Sequence, residues 1–135
     1  MSQWLGLRSI FESVYRFGDR SPRDLWTWPG LAQIVGEDQP YLVTDPDVVL
    51  DPACPDDWLE QMRLHLGGAG EVKVGLGLRI DDLPINEKTA RVRAWEGDFW
   101  HNRAGDRAWH APVDTTLALY PPLSRQREFR LGPAI

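Results

Sequence analysis

Two aspartates one residue apart, Asp45 and Asp47, follow the apolar run Tyr41-Leu42-Val43-Thr44. Paired carboxylates at the carboxyl end of a strand can reach one hard cation. Magnesium or manganese takes oxygen ligands there and keeps positions open for substrate phosphates. In open α/β sheets the ligand crevice lies outside those strand ends. Pro46 biases Asp45 toward extended backbone, which aims the first carboxylate. The plainer reading of Asp-Pro-Asp is a surface turn, the more common fate of that tripeptide taken alone. A second pair, Asp81 and Asp82, ends another apolar run and would reach the same sheet edge, with simple capping of the strand as the competing reading. Asp114 precedes a third apolar run, placed to bind a hydroxyl, to brace a metal site, or merely to hydrogen-bond the strand entry.

Other chemistry is thinly represented. His101 and His110 flank a glycine-containing loop and can join a metal shell, although loop histidines are usually solvated. His65 falls on an ordinary helical stretch. Gly67-Gly68-Ala69-Gly70 lacks the spacing and the Lys-Ser/Thr of a phosphate loop and reads as a turn. There is no Gly-x-Ser-x-Gly and no His-Glu-x-x-His. The single cysteine, Cys54, rules out an intrachain disulfide and a cysteine-based zinc site, and suits a reducing compartment.

The elements that must position these groups follow from pattern. Trp4, Leu7, Phe11 and Val14 recur at helical spacing and predict an amphipathic helix over residues 2–17, stopped by Gly18. Its polar face lacks the dense Lys/Arg of a membrane-surface helix, so packing on a core or a partner is the better reading. A polar connection spans 18–23, a short helix 29–35 ends at Gly36, and a brief strand covers 39–44. Pro55, Asp56, Asp57 and Glu60 mark a helix start, and Trp58, Leu59, Met62, Leu64 and Leu66 supply its apolar face. Residues 73–80 form the clearest strand, with Gly75 and Gly77 on one side, where a backbone or ligand can come close. Its continuous apolar-plus-glycine character predicts a central strand beside 41–44. A part-helical stretch over 87–100 puts Val92, Trp95 and Phe99 on one face, a loop spans 105–112, and strands cover 113–120 and 128–131. Strands alternate with helices, which makes the class α/β.

Length and charge bound the rest. The 135 residues have room for one domain. A net charge of -5 argues against a protein built to hold a nucleic-acid backbone and suits cationic or neutral polar ligands. No apolar run approaches the roughly 20 residues of a membrane span, and no secretory leader opens the chain, which predicts a cytoplasmic protein.

Several segments occur in a telling order: 41–49 (YLVTDPDVV), 54–57 (CPDD), 73–84 (KVGLGLRIDDLP), Trp95-Glu96 and 114–120 (DTTLALY). Over roughly 18–135 the series resembles bacterial glycosyltransferase-like proteins of the nucleotide-diphospho-sugar transferase (GT-A) fold. The resemblance implies a partial GT-A-like mixed sheet flanked by helices, in a single domain over 18–135 preceded by the helix of 1–17. It also implies transfer of a sugar from a nucleotide-diphosphate donor to a hydroxyl acceptor. Asp45 and Asp47 would hold the divalent cation (manganese or magnesium) that bridges the donor's phosphates. Glu96 is the implied base or acceptor-binding residue, and Asp82 a second candidate base. Asp81, Trp95 and Asp114 would line the substrate site, with Trp95 offering an aromatic face to a sugar ring, although core packing is the commoner fate of Trp, Phe99 and Trp100. Nothing before Gly18 reads as the strand-helix-strand unit that opens such folds, and the sequence stops at 130–135 where similar proteins continue. A relative shortened at both ends, a fragment, or a piece completed by another chain is therefore expected. Two further classes stay open. One is a catalytically incomplete module that associates with itself or with a completing chain through its exposed sheet edge and N-terminal helix. The other is a small metal-dependent phosphate-ester hydrolase, resting on the carboxylates alone.

Overall fold

Leu117-Ala118-Leu119-Tyr120 is apolar at every position, and a strand of that kind belongs where both sheet faces are covered. The structure, a computed structural model, describes residues 22–66, 73–113 and 117–130. In chain order its elements are a 3-10 turn (Pro22–Thr27), α1 (Leu31–Val35), β1 (Tyr41–Thr44), α2 (Trp58–Leu66), β2 (Val74–Gly75), α3 (Glu87–Gly97) with a 3-10 turn at its end (Asp98–Trp100), β3 (Leu117–Tyr120) and α4 (Leu123–Arg130). The chain divides into two compact units, one ending at Ile34 and the other beginning at Val35. The helix expected over 2–17 lies outside the described residues. Leu31, in the first unit, is buried, and Gly36, the residue after α1, has φ 76°, a left-handed conformation that favours glycine.

The sheet belongs to the second unit. β3 is its middle strand, flanked by β1 and β2, and both pairings are antiparallel. All four residues of β3 are buried. This corrects two expectations: the sheet is antiparallel among the described residues rather than mixed, and 73–80 is not the central strand beside 41–44. Only Val74 and Gly75 pair as strand, extended by one bond from Leu76 N to Leu117 O. The physical reason is apolar area. β3 offers side chains to both faces, whereas Gly75 and Gly77 offer none. The space beside those glycines is taken by the chain itself: a Cβ on Gly75 would stand 2.2 Å from Val113 Cγ1, and one on Gly77 2.6 Å from the Trp100 ring.

Strand alternation assigns the two faces. Leu42, Leu119 and Val74 form one cross-strand row. Met62 and Leu66 of α2 are buried against Leu119, with Leu42, Trp58, Leu59, Val74 and Leu76 packed around them. Leu64, expected on that helix face, is exposed because it falls on the opposite side of the turn. On the other sheet face the rings of Tyr41 and Tyr120 stack at 5.4 Å, and Lys73 Nζ sits 5.6 Å from the Tyr120 ring centre. Gln126 Nε2 of α4 donates to Tyr41 Oη at 2.9 Å.

Of the stretch 128–131, expected as a strand, residues 128–130 lie on α4, and Leu131 lies outside the described residues. Pro121 and Pro122 cannot continue the ladder, the fixed φ of Pro122 suits a helix start, and Gln126 N bonds Pro122 O at 3.1 Å. Arg, Gln and Glu then carry the helix on propensity. Helix α3 is opened by Asn86, whose Oδ1 accepts from Lys88 N and Thr89 N, while Thr89 Oγ1 accepts from Asn86 N, a reciprocal capping box.

Candidate functional site

Because β1 and β2 both run antiparallel to β3, they run in the same direction. Their carboxyl ends therefore leave the same end of the sheet. The segment after β1 carries Asp45, Asp47 and Asp51, and the segment after β2 carries Arg79, Asp81 and Asp82. Strand direction thus brings two acidic segments to one end of the sheet although their nearest named members, Asp51 and Arg79, stand 28 residues apart in sequence.

Asp45 and Asp47 are both exposed, in a turn closed by Val48 N donating to Asp45 O at 3.4 Å. Thr44 Oγ1 also donates to Asp45 O, at 3.1 Å. Among the described residues neither carboxylate caps a helix or joins an ion pair. Two hard oxygen donors in an exposed turn fit a hydrated magnesium or manganese ion that takes its other ligands from water and phosphate. Among the described residues no cluster of three or more His, Cys, Asp or Glu side chains could form a closed metal cage.

Asp81 is paired with Arg79. Arg79 Nε donates to Asp81 Oδ1 at 2.7 Å and Nη2 to Oδ2 at 3.5 Å, while Nη1 reaches Asp51 Oδ2 at 2.7 Å. One guanidinium therefore bridges the two segments. Its hydrogen bonds hold the Asp81 carboxyl below the ordinary aspartate range. The Asp51 carboxyl is lowered first by the Ala53 backbone N–H on Oδ1 and then by Arg79. The two carboxylates in turn raise the Arg79 pKa, so it stays charged at every accessible pH. Asp82 is exposed in the same turn.

Glu96 and Trp95 lie in the last turn of α3, which the hydrogen bonds tie to the acidic turn. Arg93 Nη2 donates to Leu83 O, and Thr89 Oγ1 to Pro84 O. Glu96 is half-buried, while Trp95 is 63% exposed and meets the Phe99 ring edge-on at 5.8 Å. Trp100 packs edge-on against Trp109 at 4.7 Å, and the Arg103 guanidinium lies 5.6 Å from the Trp109 ring centre. Asp114 lies outside the described residues.

Arg79 and Asp51 escaped the reading by motif. The available signal was spacing: on an extended segment residues 79 and 81 point to one side, so an Arg-x-Asp pair can close on itself. The pairing with Asp51 had no local signature. In comparisons with models of protein families, with curated proteins and with solved structures, the chain matches none of them.

Proposed function

We propose that the chain is a glycosyltransferase-like protein of the GT-A type, moving a sugar from a nucleotide-diphosphate donor to a hydroxyl acceptor. The observation that carries this reading is the exposed Asp45 and Asp47 turn at the carboxyl end of β1, beside the second acidic segment at the same sheet end. A divalent cation bound there would supply Lewis-acid neutralisation of the departing diphosphate. Asp45 and Asp47 hold that charge in place. Glu96, or Asp82 at the sheet end, accepts the proton of the acceptor hydroxyl, and the open indole face of Trp95 orients a sugar ring. The order of segments resembling GT-A proteins supports the assignment of sugar chemistry over simple phosphate-ester hydrolysis.

The experiment is a thermal-shift screen of nucleoside diphosphates with and without manganese. The expected result is a manganese-dependent rise in melting temperature for the unmodified chain, absent in Asp45→Asn and Asp47→Asn. A chain that melts at one temperature under every condition would sink the reading.

A second reading, an incomplete module completed by another chain, is favoured by a specific observation. Val49 is 88% exposed and Ile85 97% exposed, both near the acidic sheet end in sequence. Size-exclusion chromatography with light scattering separates the two: a monomer that binds nucleotide favours the enzyme, and a self-associating chain without nucleotide affinity favours the module.

A further inference from the structure

The segment 45–57 joins β1 to α2 by local bonds. Val48 N meets Asp45 O, Ala53 N meets Asp51 Oδ1 at 2.8 Å, and Cys54 N meets Asp51 O at 2.8 Å. Val49 and Leu50 are exposed and contribute little packing. Among the described residues, the one hydrogen bond from this segment to a distant part of the chain is Asp51 to Arg79. The aim of Asp45 and Asp47 therefore depends on a tether four residues downstream of Asp47.

We propose that Arg79 is a positioning residue for the Asp45 and Asp47 site, anchoring their segment to the turn that follows β2. The inference rests on reading those two aspartates as a cation–diphosphate site. Arginine is suited to this by geometry. Its planar fork holds Asp81 through Nε and Nη2 and keeps Nη1 for Asp51, whereas a lysine ammonium, a point charge on a flexible stem, cannot match that fork. Because both carboxylates occupy the guanidinium, Arg79 acts on the diphosphate through the segment it anchors.

The test uses the full chain, manganese and inorganic pyrophosphate, with free manganese read by electron paramagnetic resonance. Hydrogen exchange at the Ala53 and Cys54 amides is followed in parallel. Arg79→Gln and Asp51→Asn are each expected to weaken manganese–pyrophosphate binding about threefold, the scale of an exposed ion pair. The same variants speed exchange at Ala53 and Cys54 about threefold while β1 and β3 amides keep their protection. Arg79→Lys is expected to resemble Arg79→Gln, and 1 M salt, with a screening length of about 3 Å, to weaken binding by a larger factor in the unmodified chain than in the variants, since the cation–carboxylate contact itself is screened in all of them. Unchanged affinity in Arg79→Gln overturns the proposal. So does tighter binding in Asp51→Asn, the result expected if a freed Arg79 were itself a phosphate ligand. If the unmodified chain binds no manganese–pyrophosphate and Asp45→Asn changes nothing, the cation reading falls on its own. Exchange then decides the anchor: faster exchange in Arg79→Gln sustains it, and unchanged exchange overturns it.

Discussion

The Arg79 guanidinium divides its donors unequally in effect between two carboxylates. Asp81 owes its lowered pKa first to Arg79, whereas Asp51 owes its own first to the Ala53 N–H. Arg79→Gln should therefore return Asp81 to the ordinary aspartate range and leave Asp51 partly lowered. Carboxyl carbon shifts followed by NMR from pH 7 to pH 2 check this. A folded-state pKa below the unfolded value adds stability at every pH above about 4, lost as pH falls through the lowered value. The anchor of segment 45–57 is thus intact at neutral pH and released only in acid. Gly77 makes a different residue-scale point. A Cβ there would stand 2.6 Å from the Trp100 ring, so Gly77→Ala should cost about 1–3 kcal/mol and alter the near-ultraviolet circular dichroism of the Trp100 and Trp109 pair. Glycine spacing is visible in the sequence, where it predicts room for a backbone or a ligand. The occupant is a side chain more than twenty residues away, which no local pattern encodes.

Among elements, α3 stands out because none of its residues is buried. An isolated helix of eleven residues is marginal in water. Its persistence therefore falls to the Asn86 capping box and to the bonds of Thr89 and Arg93 onto Pro84 and Leu83. Asn86→Ala should destabilise α3 by about 1 kcal/mol, seen as faster amide exchange over 90–97 with β3 unaffected. The cap itself is an Asn before a helix-compatible stretch, legible from residue types. The helical character of the stretch was legible too, since Val92, Trp95 and Phe99 recur at helical spacing, with Phe99 falling in the 3-10 turn beyond α3. Helix α4 was not. A reading confined to 128–131 missed the Pro121-Pro122 break and the run of good helix formers behind it.

At the scale of the molecule, burial among the described residues of the second unit concentrates in a small set of side chains. Leu119 is 3% exposed, sits in the cross-strand row with Leu42 and Val74, and meets Met62 and Leu66 of α2. Leu119→Ala should cost about 2–5 kcal/mol by urea denaturation. A domain of this kind holds about 5–15 kcal/mol in total. Leu64→Ala, on the exposed side of the same helix, should fall within about 0.5 kcal/mol of the unmodified chain, which separates the packed face from the solvated one.

Residue types and short-range spacing in the sequence were enough to determine α1 with its Gly36 stop, β1, the packed face of α2 apart from Leu64, the start of α3, and the acidic turn after β1. Each of these depends on neighbours within one or two turns of chain, so the pattern carries the answer. The tertiary structure alone decided that 117–120 rather than 73–80 is the middle strand, because centrality depends on which strand can feed apolar side chains to both faces at once. It also decided that β1 and β2 share a direction, which sends Asp45, Asp47, Asp51 and Asp81 to one end of the sheet. The join of Asp51 to Arg79 across 28 residues follows from that direction. Strand order and direction are settled by burial summed over the entire sheet, a quantity no single stretch of sequence contains.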